Sequence, residues 1–214
     1  MNNRQAFSLI EMTIVLTIIG VIFTGVTIGQ KLIKNNQLNQ VISEVRLHHS
    51  NMDIFKLKFA AYAGDYADAA LIWGNDCNDN SLGSDECSGD GDDIIAWSLI
   101  NEQANSWAHI YRAKINNSFY PFASADTWQD NVPESALDNG SLYLFTSDNG
   151  KVILQLRSRQ DEYSALAHID AYYIDNKIDD GLLATGNIYG ECGASITTYD
   201  KDYGDALVCG LKFY

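Results

Sequence analysis

Basic residues are scarce in this chain: 14 Lys and Arg stand against 28 Asp and Glu in 214 residues, a net charge of −14. Duplex binding depends on neutralising phosphates with Lys and Arg, so no nucleic acid is expected as a partner. The motifs of common catalysts are missing as well, with no nucleotide-binding glycine pattern, no H-E-x-x-H and no G-x-S-x-G. Histidines occur only at 48, 49, 109 and 168, without ligand spacing to cysteine, and His48 and His49 point in different directions around a helix. No enzyme is expected. The four cysteines lack the short C-x-x-C spacing of zinc and redox sites and fall into two local pairs, Cys77 with Cys87 and Cys192 with Cys209. Two disulfides formed in an oxidising compartment are expected, each contributing about 2–4 kcal/mol through loop closure.

What the chain does have is an uneven charge distribution and one long apolar run. Residues 1–60 hold six Lys and Arg against three acidic residues, whereas residues 61–214 hold eight against twenty-five. The division predicts a membrane-proximal stem and an acidic, water-facing head. From Phe7 to Gly29 the only charge is Glu11. As a helix those residues reach roughly 34 Å, enough to cross a hydrocarbon core of about 30 Å. Many are β-branched, but in lipid the backbone must satisfy itself and helix is the available form. A secretory signal peptide does not fit, because the polar MNNRQA is short and no A-x-A site follows the apolar run. A plain anchor leaves Glu11 unexplained, since an ionised carboxylate in hydrocarbon costs a few kcal/mol and by default has a partner or a task.

The stretch A-F-S-L-I-E, residues 6–11, followed by about twenty apolar residues, resembles the class III signal of type IV pilins and type II secretion pseudopilins. The resemblance implies a leader at 1–6, cleavage between Ala6 and Phe7 by a prepilin peptidase, and methylation of the new N-terminal Phe7. It implies also that Glu11, the fifth residue of the mature chain, pairs with the N-terminal amine of a neighbouring subunit. Partners would then be identical or related pilin or pseudopilin subunits and an inner-membrane assembly platform. The chain would be a single-pass protein of the cytoplasmic membrane with its head outside the cytoplasm. Two departures stand out: many members have glycine where this chain has Ala6, and many have a proline about twenty residues into the helix, where GVTIGQK has none.

Past Gly29 the pattern turns amphipathic, with Leu38, Val45, Met52 and Phe59 seven apart, Val41 and Phe55 between them, and His48 on the same stripe. The spacing predicts one helix from about 7 to about 60, its membrane half at 7–29 and a stem at 30–60. The head, 61–214, is expected to be mixed. Residues 92–115 predict a helix capped by Asp92 or Asp93, with Ile95, Leu99, Ala104, Trp107, Ala108 and Tyr111 on its apolar side. Trp97 and Trp107 read as core. SLYLFTSDNGKVILQLR predicts an antiparallel hairpin turning around Asp148, Asn149 and Gly150. Residues 162–174 predict a second helix with Tyr163, Leu166, Ile169 and Tyr173 on one face. The fold class is α+β, and the resemblance likewise implies a long N-terminal helix on a small antiparallel sheet with a cysteine-closed C-terminal region.

Two oxygen-rich loops offer ligands to a hard cation, which wants six to eight oxygens. Residues 75–93 contain Asp79, Asp90 and Asp92 without the spacing of an EF-hand, so a solvated acidic loop competes with a Ca2+ site there. IDNKIDDGLLATGNI brings Asp175, Asp179 and Asp180 around Gly181, and the resemblance adds that some pseudopilin-like heads hold calcium in a C-terminal loop. No cofactor is required; Ca2+ would act structurally. The expected function is a filament subunit, pilus or pseudopilus, with the missing helix proline and the IDNKIDDG turn favouring the pseudopilus. The competing expectation is a monomeric membrane-anchored calcium-binding or adhesive ectodomain.

Overall fold

The apolar run and the amphipathic stripe join without a break. In the computed structural model, which describes residues 9–74, 87–96, 102–120, 128–137, 139–159, 165–192, 199 and 207–214, a single helix α1 extends from Leu9 to Phe59. Its 51 residues make a rod of roughly 77 Å. Lys56 and Lys58 lie in its last turn, where cations complement the helix dipole. The chain then leaves through Ala60 in the left-handed region, φ 57°.

Only the C-terminal half of α1 is docked on the head. Of the heptad stripe, Leu38, Val41, Val45, His48, Met52 and Phe55 are buried there and Phe59 is half-buried, while Ile42, off the predicted stripe, is buried beside them. Polar contacts flank this seam along its length. Lys34 pairs with Asp170 at 2.8 Å, and Tyr173 donates to Asn39 Oδ1 at 3.2 Å. Glu44 Oε2 accepts from the Tyr143 hydroxyl at 2.9 Å and the Ala136 N–H at 3.1 Å, while Lys58 donates to the Ala113 carbonyl at 2.9 Å.

The head is built on an antiparallel sheet of five strands: β1 (Leu142–Asp148), β2 (Lys151–Arg157), β3 (Leu166–Ala167), β4 (Ile188–Glu191) and β5 (Leu207–Phe213). β1 and β2 form the expected hairpin, in register from Leu142 opposite Arg157 to Asp148 opposite Lys151. Asn149 and Gly150 both have positive φ, 50° and 76°, the backbone that a two-residue turn between twisted strands requires. β2 and β4 flank the C-terminal half of β5, and β3 pairs with its N-terminal half. Because side chains alternate and opposite residues share a face, Tyr143, Phe145, Leu154 and Leu156 face the helices. There His48 meets Trp107 edge-on at 4.8 Å and Tyr143 at 4.9 Å, and Trp107 meets Phe145 at 4.7 Å.

Three further α-helices lie among the described residues of the head: α2 (Ala69–Trp73), α3 (Glu102–Arg112) and α4 (His168–Ile178). Two of the helix readings are corrected. The helix expected over 92–115 begins at Glu102, and residues 92–96 are not helical. The backbone N–H groups of Gly91, Asp92 and Asp93 turn instead onto the Asp65 carboxylate, at 2.7, 3.1 and 2.9 Å. Asp93 has φ 65°, and Ile95 lies along the edge of β1, its N–H donating to Ser147 Oγ and its carbonyl accepting from the Ser147 N–H. Asp92 and Asp93 therefore cap no helix. Of the apolar face drawn through Ile95, Leu99, Ala104, Trp107, Ala108 and Tyr111, Ile95, Ala104, Trp107 and Ala108 are nonetheless buried and Tyr111 is half-buried.

The helix expected over 162–174 runs from His168 to Ile178. Leu166 and Ala167 are taken by β3, opposite Cys209 and Leu207, so Leu166 does not share a helical face with Ile169 and Tyr173. Ile169 is exposed, and α4 buries Ala171, Ile174 and Asp175 instead. Trp97, Leu99 and Tyr163 lie outside the described residues.

Candidate functional site: an unburied apolar helix and two carboxylate groups

Among the described residues, the buried positions of α1 begin at Leu38, and its N-terminal half is not packed on the head. Among the described residues, the 18-residue stretch most apolar in character has none of its length buried, and Leu9, Leu16, Val21 and Phe23 are each more than two-thirds exposed. An apolar helix of this length and exposure requires lipid or other helices around it. The threonines within it are compatible with that setting: Thr13, Thr17, Thr24 and Thr27 donate their hydroxyls to carbonyls three or four residues earlier, at 2.7–2.9 Å. Their polar groups are thus satisfied inside the helix. A Cβ at Gly20, Gly25 or Gly29 would meet nothing within 4 Å, so no packing in the chain itself calls for glycine there. Glu11 sits in the first turn of α1, where the positive end of the helix dipole favours an anion. Ala6 and Phe7 lie outside the described residues.

Among the described residues, two groups of carboxylates bring oxygens within 4.8 Å of one another. The first joins Asp65, Asp90 and Glu102, of which the sequence reading had only Asp90. Asp65 and Glu102 are buried, and their oxygens are occupied by backbone donors: three N–H groups on Asp65, and those of Asp90 (3.2 Å) and Ala96 (2.8 Å) on Glu102. They act as staples for the 87–96 segment. Burial pushes both carboxyls above their ordinary range, and the backbone N–H bonds oppose that shift. Asp92 is not in the group; its Oδ1 accepts from the Ile94 N–H. Asp79 lies outside the described residues. Gly64, directly before Asp65, was the available sequence signal for a tight approach here, and Gly89 packs so closely on Asp65 that a Cβ would overlap its backbone.

His109 ties this region together. The Gly64 N–H donates to its Nδ1 at 2.8 Å, which leaves Nε2 to donate to the Cys87 carbonyl at 2.7 Å. Burial lowers its pKa to about 4, so the ring is neutral. Cys87 is disulfide-bonded; Cys77, its expected partner, lies outside the described residues. The Cys192–Cys209 disulfide is present, closing β4 onto β5. His168 lies within 4.8 Å of both its sulfurs, but sulfurs bonded to each other are not thiolate ligands, which leaves that trio structural.

The second group is the one read from sequence, Asp175, Asp179 and Asp180, at the C-terminal end of α4. Asp175 is fully buried and accepts from the Gly181 N–H at 3.1 Å and the Tyr199 hydroxyl at 2.8 Å. Asp179 Oδ2 accepts from the N–H groups of Asn187 and Ile188, and Asp180 accepts from the Leu182 N–H at 2.9 Å and the Thr185 hydroxyl at 2.6 Å. Gly186, with φ 77°, passes where a Cβ would strike the Asp179 carboxylate. Burial, and then the charges of Asp180 and Asp179, raise the Asp175 pKa, whereas the Thr185 hydroxyl and Leu182 N–H lower that of Asp180. Three carboxylates are therefore held together against their repulsion by surrounding donors.

Residues 1–27 match the prokaryotic N-terminal methylation motif. No curated protein and no solved structure matches the chain. The chain thus carries a prepilin-type signal, of the kind found on pilin- and pseudopilin-like subunits. The long apolar helix, small antiparallel sheet and Cys192–Cys209 disulfide make an α+β, pilin-like fold. A prepilin peptidase and other pilin-like subunits are its implied partners, and the apolar helix its membrane anchor.

Proposed function

We propose that this chain, with its prepilin-type signal, is a filament subunit: made as a prepilin with leader 1–6, cut between Ala6 and Phe7, methylated at Phe7, and polymerised through its N-terminal helices. Residues 7–29 cross the cytoplasmic membrane, 30–60 form the stem, and 61–214 form a head outside the cytoplasm. An inner-membrane platform would collect identical or related subunits into a pilus or a secretion pseudopilus. The observation that carries the reading is the bare apolar half of α1, which leaves lipid only if equally apolar surfaces replace it.

Glu11 supplies the register. Cleavage before Phe7 creates an α-ammonium at the edge of the apolar segment, and an ammonium and a carboxylate in low dielectric strongly prefer each other to separation. Glu11→Ala should insert and be cleaved, yet leave sheared filament fractions nearly empty. The companion measurement is the intact mass of native chain from membrane and sheared fractions. A methylated chain beginning at Phe7 in a sedimenting filament supports the proposal. An uncut chain confined to membranes, or Glu11→Ala filaments at normal yield, turns the reading toward a monomeric membrane-anchored ectodomain or removes the charge pair from it.

Calcium is proposed as a structural element of the same head. Asp175, Asp179 and Asp180 would hold it, since their clustered hard oxygens suit that ion. Bound there, it would offset three like charges and fix the α4–β4 turn.

A further inference from the structure

We propose that the sheet face turned away from α1 is a binding site for acidic saccharides. Alternation and register place Asp148, Lys151, Gln155, Arg157, Lys212 and Tyr189 on this one face, opposite the face that packs on the helices. The face is divided by Tyr214, whose hydroxyl donates to Asp148 Oδ2. On one side lies a cleft of about 280 Å³ lined by Tyr189, Tyr214, Asn149, Asn187 and Lys151. On the other lies a cleft of about 440 Å³ whose polar lining includes Gln103, Thr146, Asp148, Gln155, Arg157 and Lys212, with Lys212 paired to Asp148 at 3.5 Å.

The composition selects the ligand. Tyr189 and Tyr214 meet edge-on at 5.0 Å and give the smaller cleft an aromatic wall, against which the C–H face of a pyranose ring packs. Asn149 and Asn187 border that wall, and in the larger cleft Gln103, whose Nε2 donates to Thr146 Oγ1 at 2.7 Å, keeps its buried Oε1 as an acceptor for a hydroxyl. Each cleft also holds a cation. Residues 61–214 contain only eight Lys and Arg, and three of them, Lys151, Arg157 and Lys212, fall on this face beside one carboxylate, Asp148. In a head this acidic, that local surplus attracts an anion. Two clefts, each with a cation and amides, match consecutive residues of a uronic acid chain better than an acidic peptide, which has no use for the paired tyrosines.

The site does not rest on filament assembly, because every residue in it comes from one head. The test uses the full-length chain in detergent micelles, titrated by calorimetry with an oligogalacturonate, a neutral maltooligosaccharide of equal length, and poly-glutamate. The uronate is expected to bind, the neutral sugar and the peptide to bind at least about tenfold more weakly. Lys151→Gln and Tyr189→Ala should each weaken uronate binding about tenfold, the scale of one charged hydrogen bond or one ring contact in a cleft. Lys151 is exposed, so its replacement leaves the fold intact, which an unchanged melting temperature would verify. Absence of uronate binding at millimolar concentration, poly-glutamate binding as tight as uronate, or indifference to Tyr189→Ala would each overturn the proposal.

Discussion

His48 and His109 sit inside the head without charge. Burial lowers each to about 4, against about 6.5 when exposed; for His48 the neighbouring His49 adds to the effect. Between those values the unfolded chain binds the proton and the folded chain refuses it. Stability from a neutral buried histidine is thus complete above pH 6.5 and lost as pH falls toward 4, on the order of 3 kcal/mol for each ring. Asp65, Glu102 and Asp175 have the opposite sign, since their raised values let the folded state take up protons first. Replacing one histidine isolates its share: in His48→Leu the melting temperature should fall less between pH 7 and pH 5 than in the unaltered chain. Parallel profiles would mean that His48 is not held neutral. The burial of His48 was legible from its place on the heptad stripe. The roles of Asp65 and Glu102 were not, because carboxylates held by backbone N–H groups, three on Asp65 and two on Glu102, leave no periodic trace; their partners are donors that every residue but proline carries.

At the scale of the element, legibility follows the range of the contacts that decide. The hairpin depends on a local rule, two positive-φ residues between β-rich runs, and the sequence states it in Asn149 and Gly150. Gly150→Val should therefore destabilise the head by about 1–2 kcal/mol in denaturant unfolding, the cost of forcing a side chain into the left-handed region, while Asn149→Gly should be nearly neutral. The stem helix is similarly plain, since its stripe repeats over several turns. The two misread helices fail for one reason: distant partners claim their first residues. Gly91–Asp93 turn onto Asp65, and Leu166 pairs with Cys209 across β5. The short strands β3 and β4 leave no alternation long enough to see, and so the outer sheet face with its two clefts could not be assembled from sequence.

For the molecule as a whole, charge and anchorage were legible, as was the acidic turn after α4, whereas the docking of stem on head needed the structure. Calcium gives a whole-molecule test of that turn. If it binds, the full-length chain in micelles should melt about 5–10 °C higher at calcium one hundredfold above its Kd than in chelator, and Asp179→Asn with Asp180→Asn should abolish the difference. An unchanged midpoint would remove the proposal. The seam between α1 and the head carries one more implication. Its contacts begin at Lys34 and end at Lys58, spread over roughly 36 Å parallel to the helix axis. A pull along the rod loads that seam in shear, so ion pair, hydrogen bonds and buried stripe resist together instead of opening one after another. The head behaves as a sleeve glued along a rod, and traction reaches it without first unravelling the sheet.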